Sequence, residues 1–436
     1  MSAGGSATSL SVRQAAFIGV GAMVGAGIFS LLGAAGEVAG AAVWISFLIA
    51  GAIAGLQAYS FARFGARYPS AGGLLEYVRK GYGDGHFTGI IAWLILAANA
   101  IVTGMVAVSF GSYASESIFD GQAALTKTFA VLIIVVMTLL NIMGSQAVAR
   151  TQTLIVYVVL SILTLFAVTT LANLHPDLLA FSNYPSLQDI VSSVALTFFA
   201  FLGFGVVTFT AKDLANPSRQ LPRAMFLAVG IATIIYVAVA LGVFGTLTVE
   251  KVIESGGTAL AVAAQPVLGR AGYWLMTVTA LFSTSGATNA GLYPAGGLCE
   301  EMARIGQFPP QLGNRFGGRA PAGLLLTATA AAILAAGFDL SAIASIGSAI
   351  ALLVFSLVSI GHIRVHADTG ANPFLLWLAV ISTLIVLATF VFTTLIHEPA
   401  SLVTMVVIIA LSMALDFAWK RSRDRRPGRD HHEVVG

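Results

Sequence analysis

Two stretches of the chain bring chemistry through the backbone. Gly25-Ala26-Gly27 lies in GVGAMVGAGIF (Gly19 to Phe29), and Gly203-Phe204-Gly205 in FLGFG; each interrupts a long apolar run. Glycine inside a helix costs ~1 kcal/mol relative to alanine, so both runs are predicted to break there. A helix broken in hydrocarbon uncovers N–H and C=O groups that cost several kcal/mol each unless a partner is found. The amino-terminal end of the second half-helix suits an anionic oxygen, and the carboxyl-terminal end of the first suits a cation. A solute carrying both charges close together matches that arrangement. A second reading of the same residues is close helix contact, since Gly21-xxx-Gly25 fits small-xxx-small packing.

Ionised side chains do not compete for this role. None of the 19 acidic residues is expected in the middle of a span: Asp213, Glu300 and Glu301 fall at inner ends, and Glu37 at an outer end. A cationic solute lacking a carboxylate would have no counter-ion, whereas a net-neutral zwitterion needs none. The seven histidines fall in loops, at span ends or in the tail. No buried serine is therefore expected within hydrogen-bonding distance of a histidine, and no metal-ligand cluster is seen. An intramembrane enzyme would need such groupings, and a channel would need rings of charge or a continuous polar path; neither pattern is present.

The elements that must hold these stretches follow from composition. Of 436 residues, 57% are hydrophobic and 9% charged, against about 25% charged in soluble domains. The apolar runs mostly exceed the ~18 residues needed to span a bilayer as a helix and lack the alternation of a barrel strand. Twelve spans are predicted, starting near Val12, Ala41, Phe87, Leu125, Thr153, Ile190, Leu221, Gly269, Pro321, Ser341, Pro373 and Ala400. The opening residues lack the basic and apolar regions of a cleaved signal, so the first span is expected to persist. Of the 22 lysines and arginines, 19 fall on one side of this arrangement, and only Lys127, Lys251 and Arg270 on the other. By the positive-inside rule both termini are expected in the cytoplasm, with the chain in the cytoplasmic (inner) membrane. The basic residues are scattered and not interleaved with aromatics, which argues against nucleic acid. No obligate protein partner is evident. Cys299, the only cysteine, is expected to be a helix-packing residue.

The two interruptions lie at similar depths in spans one and six. If spans one to five and six to ten are copies of one unit, an odd number of helices per copy inverts the second, as in many secondary transporters. The expected organisation is a cytoplasmic segment 1–11, a first repeat 12–175, a second repeat 188–366, two further helices over 371–420 and a basic cytoplasmic tail 421–436.

At these residues the sequence resembles the amino acid, polyamine and organocation (APC) transporter superfamily, in its amino acid permease branch. GAMVGAGIF, the loop FARFGARYPSAGGLLEYVRKGYG (Phe61 to Gly83) and EEMARIGQFPPQL (Glu301 to Leu312) carry the likeness. It implies an all-α, twelve-helix, five-plus-five inverted-repeat fold of the leucine-transporter type, working by alternating access on amino acids, small to medium neutral ones given the pocket candidates. The resemblance implies that a carboxylate meets the N–H groups of Ala26, Gly27 and Ile28, and an ammonium the carbonyls of Met23 and Leu202. Phe199, Phe204 and Gly205 join the substrate site, while Phe201 and Asn289 would form a gate or pocket wall.

Coupling stays open between a proton, a sodium ion and no ion at all. Some relatives carry a lysine midway along span five, where this chain has Val159, and others a glutamate just after the span-six break, where it has Gly205. A sodium site would draw on the carbonyls of Gly21 and Val24 and the hydroxyls of Ser283, Thr284 and Ser285. Serine and threonine in membrane helices more often bond their own preceding turn. Ion-independent exchange or facilitated diffusion of amino acids or related amines is the alternative, and no cofactor is implied.

Overall fold

A computed structural model describes residues 10–70, 72–119, 122–338, 340–393, 396 and 399–424. Most of the segment 1–11 and of the tail 421–436 lies outside these residues. The chain is a bundle of helices: α1 (Val12–Met23), α2 (Ala26–Ser30), α3 (Leu32–Ala39), α4 (Val43–Arg67), α5 (Leu74–Tyr82), α6 (His86–Phe119), α7 (Ala123–Ile142), α8 (Ser145–Ala172), α9 (Leu187–Phe199), α10 (Pro217–Phe244), α11 (Val249–Ser255), α12 (Ala259–Arg304), α13 (Ala322–Gly337), α14 (Leu340–Arg364), α15 (His366–Thr369), α16 (Pro373–Thr393) and α17 (Pro399–Asp424). A 3-10 helix spans Leu202–Asp213, and a small hairpin pairs β1 (Arg315–Phe316) with β2 (Ala320–Pro321).

Among the described residues, ten helical stretches are long and apolar enough to cross a membrane. The eighth and ninth predicted spans coincide with α12 and α13, which are not among the ten. Gly269, with φ 67°, kinks α12 at the predicted start of span eight. The 16 residues of α13 rise only ~24 Å at 1.5 Å each, short of a ~30 Å hydrocarbon core.

The helices pack on one another mainly through apolar side chains. α1 packs against α8, α10, α12 and the 3-10 helix, and α6 packs against α7, α12, α13 and α14. α17 lies on the outside against α6 and α14, where Val403, Val406, Leu411 and Leu415 stay exposed, as lipid-facing residues would. Cys299 is fully buried. A Cβ at Gly323 of α13 would lie 2.4 Å from its own Cβ, so the cysteine marks a tight α12–α13 contact.

Charge enters the bundle only with partners. Asp416 of α17 is fully buried, 2.9 Å from Lys420 Nζ and 2.6 Å from His86 Nδ1. A second buried polar layer joins α4, α14 and α16: Gln57 Nε2 donates to Thr383 Oγ1 at 2.7 Å, and Ser359 donates to Gln57 Oε1 at 2.6 Å. His362 belongs to this layer and corrects a sequence expectation. It is fully buried, with Nδ1 2.9 Å from Ser60 Oγ and Nε2 2.8 Å from Thr369 Oγ1. A buried serine does have a histidine partner, because the end of α14 crosses α4 and brings together residues 302 apart in sequence. Its ring stacks on Phe64 at 4.0 Å.

Candidate functional site: the crossing of two interrupted helices

The first interruption sits slightly before its predicted place. α1 ends at Met23; Val24 (φ −77°, ψ 71°) and Gly25 (φ −138°, ψ −123°) leave helical dihedrals, and α2 starts at Ala26. Ala26 and Gly27 are therefore helical. The first-turn N–H groups of α2, those of Ala26, Gly27 and Ile28, have no intrahelical acceptor. The Met23 carbonyl already accepts from Gly25 N at 2.8 Å, keeping one lone pair in reserve.

The second interruption is a change of helix type rather than an open break. α9 ends at Phe199, and the chain tightens through Ala200 and Phe201 into the 3-10 helix. Bonds three residues apart carry the turn: Phe201 N to Phe198 O at 2.9 Å and Phe204 N to Phe201 O at 3.0 Å. The expectation of uncovered groups at Gly203-Phe204-Gly205 is corrected accordingly, because 3-10 bonding satisfies amides that lipid would leave stranded. Tyr236 of α10 donates its hydroxyl to the Ala200 carbonyl at 3.0 Å and closes the corner.

The glycines explain how the two segments meet. A Cβ at Gly203 would lie 2.4 Å from the Ala22 carbonyl carbon and 2.5 Å from Met23 N. One at Gly27 would lie 2.4 Å from Ala200 Cβ, and one at Gly25 2.4 Å from Ala287 Cβ. Gly19 is pressed against Val207 and Ala228, and Gly21 against Gln152. The close-contact reading thus holds alongside the interruption. A leucine at Gly27 would strike Ala200, so it would disturb this packing as well as cover the backbone donors.

Beside the crossing lies a cavity of about 60 Å³, lined by Ala22, Leu202, Gly203, Gly205, Ala287, Gly291 and side chains of α5, α6 and α14. At ~10–15 Å³ per water it has room for about four to six waters. No ionisable side chain lines it. Asn99 of α6 is the only side-chain amide in its wall, and its Nδ2 is buried without an acceptor. Sequence reasoning missed Asn99 and Phe355; an asparagine among the scattered polar residues of the 34-residue α6 shows nothing of the direction it faces.

Of the site residues expected from sequence, the structure sets Leu202 and Gly205 in the cavity wall. Phe204 stands one layer back, 5.3 Å from the ring of the wall residue Phe355. Phe201 turns to Tyr236, with ring centroids 5.0 Å apart, and Phe199 packs on Gly347; neither lines the cavity. Met23, Gly27 and Ile28 are not in its wall, but Ala287, on which Gly25 rests, is. Asn289 lies in a chain of amides instead. Asn141 Nδ2 donates to Asn289 Oδ1 at 2.9 Å, and Asn289 Nδ2 donates to Gln152 Oε1 at 3.2 Å.

Around the expected sodium position, Ser283 donates its hydroxyl to the Val24 carbonyl, which the interruption frees. Thr284 and Ser285 donate to Ala280 O and Leu281 O of their own preceding turn, at 2.7 and 2.6 Å. Gly21, Val24, Val159 and Ser283 border one narrow gap.

A multi-pass bundle of apolar helices around an uncharged cavity is consistent with a membrane transporter. The chain belongs to the amino acid permease family, whose model matches residues 10–417. It is similar to the inner membrane transport protein YbaT of Escherichia coli (strain K12), 31% identical over 408 residues, which cover 93% of this chain and 95% of the relative. It is 27% identical over 320 residues to the methylthioribose transporter of Bacillus subtilis, covering 70% of this chain and 68% of that one. With the vacuolar cationic amino acid transporter 2 of Arabidopsis thaliana it shares 28% identity over 378 residues, 81% of this chain and 59% of the relative. The family and these relatives are transporters and permeases; the protein is not an enzyme.

Proposed function

We propose that the protein is a secondary transporter of small to medium neutral amino acids, working by alternating access in the cytoplasmic membrane with both termini inside. The observation that carries this reading is the uncharged cavity at the crossing, with Asn99 as its one side-chain amide. A cationic side chain or a bare amine would find no carboxylate in that wall, whereas a zwitterion's charges match helix ends. In this reading α1 and α2 form one span and α9 with the 3-10 helix another, interrupted at the bilayer midplane. Residues 12–175 and 188–366 are inverted repeats, with α16 and α17 outside them. The solute carboxylate takes the amides of Ala26, Gly27 and Ile28, and the ammonium takes the carbonyls of Met23 and Leu202. Asn99 meets the solute's side chain.

Sodium coupling and ion-independent exchange both fit this geometry: the hydroxyls of Ser283, Thr284 and Ser285 donate to backbone carbonyls, which leaves their oxygen lone pairs open to a cation. Uptake of a labelled amino acid panel into proteoliposomes, with sodium and proton gradients imposed separately, tests both readings. Saturable uptake of neutral amino acids, stimulated by unlabelled solute on the far side and altered in selectivity by Asn99→Leu, is expected. Uptake of none of them, or no trans-stimulation, would remove the proposal.

A further inference from the structure

A polar cleft lies away from the crossing, between the start of α8, the end of the 3-10 helix, α12 and the hairpin. It encloses about 300 Å³ and is bordered by Lys212, Arg315 and Arg319, with Gly144, Gly296 and Gly297 supplying backbone wall. The 3-10 helix and the hairpin deliver the cations. Lys212 ends the 3-10 helix next to Asp213, whose carboxylate accepts from Tyr293 Oη at 2.8 Å. Arg315 opens β1. Arg319 sits in the tight turn between the strands, where Gly317 (φ 57°) and Gly318 (φ 71°) take the left-handed conformation that such a reversal requires.

Charge accounting leaves the cleft electropositive. No carboxylate lines it. Arg315 is paired with Glu300 at 2.8 Å, while Lys212 and Arg319 form no ion pair among the described residues. Like charges converging on one void repel, and the arrangement is stabilised by an anion of matching charge. The uncapped start of the 28-residue α8, at Gly144, opens on the same space and adds its dipole. By the positive-inside rule the loops that carry these basic residues are expected on the cytoplasmic side, where acidic lipid attracts lysine and arginine.

We propose that this cleft binds a phosphate-bearing anion, with Lys212 and Arg319 as its principal ligands and Arg315 at its edge, supplied by the headgroup of an acidic phospholipid. Bound there, the phosphate ties the end of the 3-10 helix to the hairpin. The inference does not rest on which solute is carried, since it is read by binding.

The test uses the whole protein purified in an uncharged detergent and titrated with short-chain phosphatidylglycerol, short-chain phosphatidylcholine or glycerol 3-phosphate while its melting temperature is followed. A saturable rise with phosphatidylglycerol and none with phosphatidylcholine is expected. Lys212→Ala/Arg319→Ala should weaken it at least tenfold, because each cation at such a surface is worth about fivefold. Both residues are exposed, so the unliganded variant should melt as the wild type does. Arg319→Glu provides a second, charge-reversed variant that should abolish the rise. Arg223→Ala, an exposed arginine of α10 on the same side, is the control and should change nothing. Equal affinity for glycerol 3-phosphate would uphold the phosphate site and assign it to a soluble ligand. No saturable rise with either phosphate compound, an undiminished rise in the double variant, or equal weakening by Arg223→Ala would overturn the proposal.

Discussion

Gly203 and Gly205 stand two residues apart in one 3-10 helix, yet alanine at each should give opposite results. At Gly203 the added methyl would lie 2.4 Å from the Ala22 carbonyl carbon and 2.5 Å from Met23 N. Both obstacles are main chain, so relief requires α1 and the 3-10 helix to separate. Overpacking of this kind costs ~1–3 kcal/mol, and here it falls where no side chain can rotate away. At Gly205 the nearest atoms would be Leu74 Cδ1 at 3.4 Å and Phe355 Cζ at 3.5 Å, ordinary contact distances. That methyl fits, but it enters the wall of a cavity of only about 60 Å³. Losing room for about one methylene shifts selectivity by ~1–3 kcal/mol, or about 10- to 200-fold in kcat/KM for the largest accepted solute. Thermal unfolding in detergent and proteoliposome uptake of a solute size series separate the two effects. Gly203→Ala should lower the melting temperature and the uptake of every solute. Gly205→Ala should melt normally and discriminate against large solutes. Should Gly203→Ala prove silent, or Gly205→Ala leave the size series unchanged, the crossing and its cavity would not be the solute site.

Ser283→Ala leaves the Val24 carbonyl without its hydroxyl donor, a loss of ~1–3 kcal/mol for a buried acceptor; transport should fall, and a fall seen only in sodium would support the sodium site. His362→Ala breaks contacts to Ser60 and Thr369 and should destabilise by ~1–3 kcal/mol while KM stays constant, since this layer does not line the cavity; a changed KM would contradict that separation. Asp416→Ala strands Lys420, whose side chain is 7% exposed, and removal of one member of a buried pair costs ~3–5 kcal/mol. A melting temperature equal to the wild type's would show that Asp416, through Lys420 and His86 of α6, does not hold α17 in place.

Much of the architecture was legible because hydrocarbon imposes simple rules. Apolar length located ten of the twelve predicted spans among the described residues, and the kink at Gly269 fell where the eighth was expected to start. Helix type was not legible at the second interruption. FLGFG announces a weak helix, but the same glycines serve an open break and a 3-10 turn, and only the neighbouring backbone of Ala22 and Met23 decides between them. The cavity wall was half visible. Leu202 and Gly205 belong to the glycine motif, whereas Asn99 and Phe355 sit in long helices whose facing is set by packing. The Ser60–His362 and Asn141–Asn289–Gln152 contacts escaped notice for a related reason: each joins helices distant in sequence, and polar residues near span ends give no sign of which neighbour they will meet.

The meshing of Gly203 with Ala22 and of Gly27 with Ala200 leaves no adjustable side chain in the joint, so neither partner can drift without dragging the other. A joint with so little tolerance is a poor place to alter preference for cargo. The wall positions on α6 and α14, by contrast, can change in size and polarity while the articulation stays as it is. Redesign for a new solute should therefore begin at Asn99, Val102 and Phe355 and leave the glycines alone.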